Sequence, residues 1–249
     1  DHKPKLAEMD GQPMPESFTR GQQLAQLQGQ KLMCLRPMFS FTKVGTNQTE
    51  ISELLPHTGS VIDDLCLVRS MTTEAINHDP ALTFLQTGSQ QGNRPSMGAW
   101  LSYGLGNENK NLPDFTVLLS RGIGNGQGVY SKLWSNGFLD SIHQGVQFSK
   151  GEDPVLYIKD PAGMARGERR EMLDQLAQLN QMSYEEFGDP EITAKVKQYE
   201  MAYRMQTAVP EVMDLSKESD DIVKLYGPDC LVPGTFAANC LLARKLSEN

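Results

Sequence analysis

The run Asn77-His78-Asp79-Pro80-Ala81-Leu82-Thr83-Phe84-Leu85-Gln86-Thr87-Gly88 places an imidazole where a short polar loop opens a helix. Pro80 suits a first helical turn, where its missing N–H costs nothing, and Asn77 or Asp79 can cap. The open amino end of a helix gathers unpaired backbone N–H groups and the positive end of the dipole. Sulfate- or phosphate-like groups settle naturally there. A neutral imidazole at that mouth can bind a metal, act as nucleophile or deliver a proton. The plainer reading is a structural histidine bonded to a loop carbonyl. Arg94, in Gly92-Asn93-Arg94-Pro95-Ser96, can return toward the same point as an anion clamp, or simply be a surface arginine. His143, in Ile142-His143-Gln144-Gly145, has the same structural alternative as His78.

Other motifs carry less. Gly122, Gly124, Gly126 and Gly128 follow a strand candidate, but no Lys-Ser/Thr closes the run and its spacing is not a dinucleotide fingerprint. It reads as a surface loop. No G-x-S-x-G elbow supports a serine hydrolase. The cysteines Cys34, Cys66, Cys230 and Cys240 lack C-x-x-C spacing, and buried thiols are the blander reading against a Cys230–Cys240 disulfide. With the histidines scattered, no zinc cluster is visible. Met201 and Met205, at helical spacing, read as core filler.

These residues need elements to hold them. The sequence predicts a helix around 17–30 with Ser17 as cap, a strand at 38–44 and a short helix from Glu50 to Leu55 closed by Pro56. Next come a compact strand at Asp64–Val68, a helix at 79–87 and a helix at Ser96–Leu105. Phe115–Leu119 looks like the best buried strand of the chain. Alternating strands and helices argue for α/β architecture with a mainly parallel sheet flanked by helices. From about residue 160 the pattern turns helical: Met172, Leu173, Leu176 and Leu179 form one stripe, a long helix follows Pro190, and 235–248 is helical again. The expectation is a single domain over 1–249, with an α/β part at 1–160 and a mostly helical part at 161–249.

Composition sets the outer bounds. Formal net charge is −8, from 23 Lys+Arg against 31 Asp+Glu, and no basic stripe interleaves with aromatics, so nucleic acid is not an expected partner. Arg166, Arg169 and Arg170 read as a solvated helix face. No apolar run reaches transmembrane length. The chain begins Asp1-His2-Lys3-Pro4 and ends within a helix without a capping signal, which suggests a piece of a longer protein.

Asn77–Ser89, followed by Arg94-Pro95-Ser96-Met97-Gly98-Ala99-Trp100-Leu101-Ser102-Tyr103-Gly104-Leu105-Gly106, resembles a large bacterial family of exported proteins, domain-of-unknown-function family 1501. Leu133–Leu139, His143–Phe148, Tyr199–Gln206 and Pro233–Arg244 extend the resemblance over essentially the whole chain. That family is assigned to the alkaline phosphatase/sulfatase superfamily. The resemblance therefore implies a sulfatase-like fold and hydrolysis of sulfate or phosphate esters, on small anions or on sulfated or phosphorylated glycans. It also implies divalent metal ions, held through Asp and His near both ends of the fold, and an exported location, periplasmic or cell-surface.

Sulfatases carry C/S-x-P-S-R-A-x-L-L-T-G, with the nucleophile nine residues before the threonine. Counting back from Thr87 lands on His78, and Pro80 falls on the motif's proline. His78 thus takes the nucleophile slot in place of Cys or Ser, while Ala81 and Leu82 replace the motif's Ser and Arg. Nucleophile, metal ligand and general acid all stay open for His78, with Asn77 and Arg94 as substrate-orienting partners. The metal-bearing segments of relatives, Gly-Gly-Pro-Ser upstream and Asp/His motifs downstream, are not in this sequence. No metal ligand is assignable within it, and the chain by itself is expected to be inactive. A non-catalytic anion- or glycan-binding envelope protein that keeps the fold is the competing reading.

Overall fold

The computed structural model describes residues 2–21, 29–120, 130–148, 155 and 159–249. They form two compact units, Asp1–Asn77 and His78–Asn249. The change of composition near residue 160 falls inside the second unit.

In the first unit, α1 (Pro4–Glu8) starts on a proline, as a first helical turn allows. β1 (Phe41–Val44) and β2 (Thr49–Ser52) form an antiparallel hairpin with Phe41 opposite Ser52 and Val44 opposite Thr49. Gly45 turns the chain at φ +72°, and a Cβ there would lie 2.5 Å from the Asp63 carboxylate. That carboxylate accepts from the Thr46 backbone N–H at 2.9 Å and so closes the turn. The expected helix at Glu50–Leu55 is therefore wrong. Thr49 and Ile51 are β-branched and pair across the hairpin, and Pro56 opens α2 (Pro56–Ser60) rather than closing a helix.

The strand expected at Asp64–Val68 is also absent. Ile62–Asp64 forms a 3-10 turn, and Leu65, Leu67 and Val68 run on irregular and exposed. An apolar run without a neighbouring strand has no ladder to join. Of the helix expected at 17–30, Ser17 sits in a 3-10 turn at Glu16–Phe18, and 22–28 lie outside the described residues.

The second unit is helix-rich. It contains α3 (His78–Thr87) and α4 (Met97–Leu105), then β3 (Thr116–Leu118) paired in parallel with β4 (Val146–Phe148). Four helices follow: α5 (Arg166–Phe187), α6 (Pro190–Met213), α7 (Asp220–Tyr226) and α8 (Phe236–Glu248). Leu112, Phe148, Met205, Val209 and Val212 form the buried core, with Leu118, Val146, Met201 and Leu246 packed on it.

Among the described residues, then, mixed α/β content takes the form of two separate two-stranded sheets, one antiparallel and one parallel, and not a mainly parallel sheet. Phe115–Leu119 is a strand only at its centre and is half-buried, since a two-stranded pair leaves outer edges uncovered. The glycine run at 122–128 lies outside the described residues.

Helices α5 and α6 reverse through Gly188, left-handed at φ 66°, and Asp189, which accepts from the Glu191 N–H. Of the α5 stripe only Leu173 is buried, while Met172 and Leu179 are exposed. Its basic residues are not a solvated face. Arg170 forks onto Glu200 at 3.0 and 2.5 Å, and Arg166 and Arg170 lie over the Tyr203 ring at 5.0 and 4.9 Å. Arg169 pairs with Asp160 at 3.3 Å. Arg166 and Arg170 hold α5 to α6 through one charge-assisted fork and two ring contacts, tasks to which a planar guanidinium is suited.

All four cysteines are thiols: Cys34 and Cys230 buried, Cys240 half-buried, Cys66 exposed. No helix among the described residues is long and apolar enough to cross a membrane.

Candidate functional site

Helix α3 is tied together by its threonines. Thr83, buried, donates its hydroxyl to the Asp79 carbonyl at 2.8 Å, and Thr87 donates to the Thr83 carbonyl at 2.8 Å. Gly88, at φ +72°, ends it by donating to the Phe84 carbonyl. His78 is the first residue of this helix rather than the last of the loop before it, and its side chain is exposed. No hydrogen bond or ion pair holds it among the described residues, so the structural reading, a ring anchored to a loop carbonyl, finds no partner atom.

Beside it, Asp79 forms an ion pair with Lys132 at 2.7 Å. No local motif announces Lys132 as a neighbour of this helix. It is brought there by the 3-10 turn Ser131–Trp134, whose Leu133 and Trp134 are buried and which packs against α3. Asp79 in the first turn complements the helix dipole and opposes a second anion there, and Lys132 offsets that opposition.

The same brace reaches the Arg94 loop. Ser135 accepts from the Ser96 backbone N–H at 3.0 Å. Gly137, left-handed at φ +57°, lies so close to the chain that a Cβ on it would stand 2.3 Å from the Pro95 nitrogen. Pro95 and Ser96 are buried, and Ser96 caps α4 through the Ala99 N–H. Segment 131–137 therefore braces both the start of α3 and the Arg94 turn. Arg94 itself is exposed and has no partner among the described residues. Asn77, exposed, is the last residue of the first unit. No direct hydrogen bond joins His78 to Arg94.

His143 is placed differently. Its Nδ1 lies 2.7 Å from the Ser102 hydroxyl, which also contacts the Asp114 carboxylate at 2.9 Å. Tyr103 meets the imidazole edge-on at 5.6 Å. The turn Ser141–His143 is anchored on α6 as well: Glu191 accepts from the Ser141 N–H at 3.0 Å, and Gln198 donates to the Ser141 carbonyl at 2.7 Å. The Ser141 N–H holds the Glu191 carboxyl below its ordinary range. Ser102 and Asp114 are additions that no local motif announces. Ser102 sits on α4 and Asp114 precedes β3, and only the fold brings them to one imidazole.

Chemically, the α3 mouth offers an unengaged imidazole next to a lysine–carboxylate pair, with an unengaged arginine on the same brace. Such a set can hold an oxyanion and pass a proton. The divalent ions implied by the sulfatase resemblance find no fitting donor set, because no group of three or more His, Cys, Asp or Glu residues converges among the described residues.

No curated protein and no solved structure matches the chain. The family model described as "Protein of unknown function (DUF1501)" matches residues 1–249, and the chain therefore belongs to that family.

Proposed function

We propose that this family member is a sulfatase-like hydrolase of sulfate or phosphate esters, with the ester's anionic group seated at the amino end of α3. The observation that carries this reading is the exposed, unpartnered imidazole of His78 as the first residue of that helix. The sulfatase motif puts its nucleophile at the same register. In this reading His78 is at the reaction centre, Arg94 and Asn77 orient the anion, and Lys132 tempers the charge of Asp79. Divalent ions belong to the proposal as the family's means of polarising such esters. Their ligands have to come from residues other than those described, so no step is assigned to them. An exported location, periplasmic or cell-surface, belongs to the same reading.

The second reading is an anion- or glycan-binding envelope protein that retains the fold without turnover. Ala81 and Leu82, standing where the sulfatase motif has Ser and Arg, favour it.

A panel of aryl sulfates, aryl phosphates and sulfated glycans, run on the full-length protein with Mn, Zn, Ca or Mg, separates the two. Hydrolysis that falls by roughly 100-fold or more in His78→Ala supports the first reading, the range expected for loss of an acid–base group. Turnover equal to wild type in that variant removes His78 from the mechanism. Saturable glycan binding with no turnover under any metal selects the second.

A further inference from the structure

Below the turn Ser141–His143, between the loop after α4 and one flank of α6, lies a cavity of about 560 Å³. That is within the size range of small-molecule sites. Its floor is apolar: Val146, Met201 and Met205 line it and belong to or pack on the buried core. Its polar wall is cationic, with Lys110 from the loop and Lys197 and Arg204 from α6. Helical spacing puts Lys197, Met201 and Met205 on one flank of α6, so a head-group contact is followed by tail contacts along a single helix.

The charges are uncommitted. Lys110 and Lys197 have no partner among the described residues, and Arg204 donates only to the Glu200 carbonyl, at 3.4 Å. Among the described residues the one carboxylate in the wall is Asp114, which already accepts from Ser102. Among the described residues these three cations have no acidic partner, and in a chain of net charge −8 that marks a local reversal of field, which gathers anions. Position matters too. The wall is built from Pro113 and Asp114, just before β3, and from Gln144 and Val146 at the start of β4. It therefore sits at the amino ends of the parallel strands and includes neither His78 nor Arg94.

We propose that this cavity is a binding site for a small amphiphilic oxyanion: one carboxylate, phosphate or sulfate head held by Arg204, Lys197 and Lys110, and an apolar body laid on Met201 and Met205. The guanidinium supplies a fork for two oxygens, and the lysines supply point charges around it. Neither half of the ligand suffices. Inorganic phosphate leaves the methionine floor wet, and an alcohol of the same length leaves three cations unanswered. The inference is independent of the hydrolase reading, because no residue is shared.

The test is calorimetric titration of the whole chain with octyl phosphate, octyl sulfate and octanoate, each below its micelle concentration, and with dissolved octan-1-ol and inorganic phosphate. The three amphiphilic anions are expected to bind saturably, one per chain, with octanol and phosphate at least tenfold weaker. Lys197→Gln combined with Arg204→Gln should weaken octyl phosphate at least tenfold. Ala202→Trp, which fills the cavity from its exposed side, should abolish binding without touching any cation, so a folding defect in the first variant leaves the proposal testable. Lys195→Gln, on the same helix but outside the wall, and His78→Ala should bind as wild type. Octanol binding as tightly as octyl phosphate, or undiminished binding in both cavity variants, overturns the proposal. Loss of binding in His78→Ala also overturns it and moves the anion to the α3 mouth, whose own test is turnover.

Discussion

Ser102 has one proton to give and must satisfy two neighbours. An ionised carboxylate only accepts, so the hydroxyl donates to Asp114 and receives from the Nδ1–H of His143. That order places a proton on Nδ1 of the imidazole. Ser102 is buried, whereas His143 is half-buried and Asp114 exposed, so its removal turns both partners to water. Ser102→Ala is expected to cost about 0.5–1.5 kcal/mol, the net worth of a hydrogen bond whose partners can turn to water, measured by urea unfolding. Nitrogen NMR of His143 should show a protonated Nδ1 in the wild type and a mixture of states in the variant. Identical unfolding midpoints and ring signals would show that the serine bridge holds nothing. The contrast with His78 is instructive. The sequence offered both histidines with the same two readings, and what separates them is three-dimensional: His143 acquired a serine and a carboxylate from distant segments, whereas His78 acquired none. No spacing rule in the chain carries that information.

Packing between elements turns on Phe115, whose ring lies tight against two glycines. A Cβ on Gly98 of α4 would stand 2.4 Å from that ring, and one on Gly145 would stand 2.9 Å from it and from the Trp134 side chain. In an exposed helix, Gly→Ala gains about 1 kcal/mol of helix propensity. Here an added methyl on Gly98 meets the ring at 2.4 Å while Gly145 crowds the same ring, and overpacking wins. Gly98→Ala should therefore destabilise by about 1–3 kcal/mol net, with Phe115→Leu in the same chain recovering most of the loss. A stabilised Gly98→Ala protein in thermal melts would refute this packing. Neither glycine looked special in the sequence, because their demand comes from a ring on another element.

Elements with local punctuation were legible: Pro95-Ser96 before α4, Asp189-Pro190 before α6, and Thr235 capping α8 through the Ala238 N–H. Glu50–Leu55 and Asp64–Val68 were misread because strand pairing is a non-local fact. Thr49–Ser52 found a partner across a four-residue turn, and Leu65–Val68 found none.

At the scale of the whole molecule, net charge −8 was visible in the composition, but not the fact that Lys110, Lys197 and Arg204 line one cavity, nor which carboxylates folding engages. Those engagements set the acid stability. The Ser40 hydroxyl and N–H hold Glu53 below its ordinary range, in the first unit. In the second, Ser141 does so for Glu191, Ser216 for Asp214, and Lys245, followed by Arg244, for Glu218. Each folded-state value is depressed, so below the ordinary carboxylate range of about 4 the unfolded chain binds more protons than the folded one. These contributions are complete above that range and are lost as pH falls through it toward the lowered values. Glu218 is the most informative of the four, since it joins the turn Leu215–Lys217 to α8 through Lys245 at 3.1 Å and Arg244 at 2.9 Å, with a side chain only 11% exposed. Glu218→Gln should melt lower than wild type at pH 7 and show a shallower fall in Tm between pH 5 and pH 3, so that the two curves converge in acid. Curves that stay parallel across that window would mean that Glu218 does not titrate with folding, and would move the acid sensitivity of this unit onto Glu191 and Asp214.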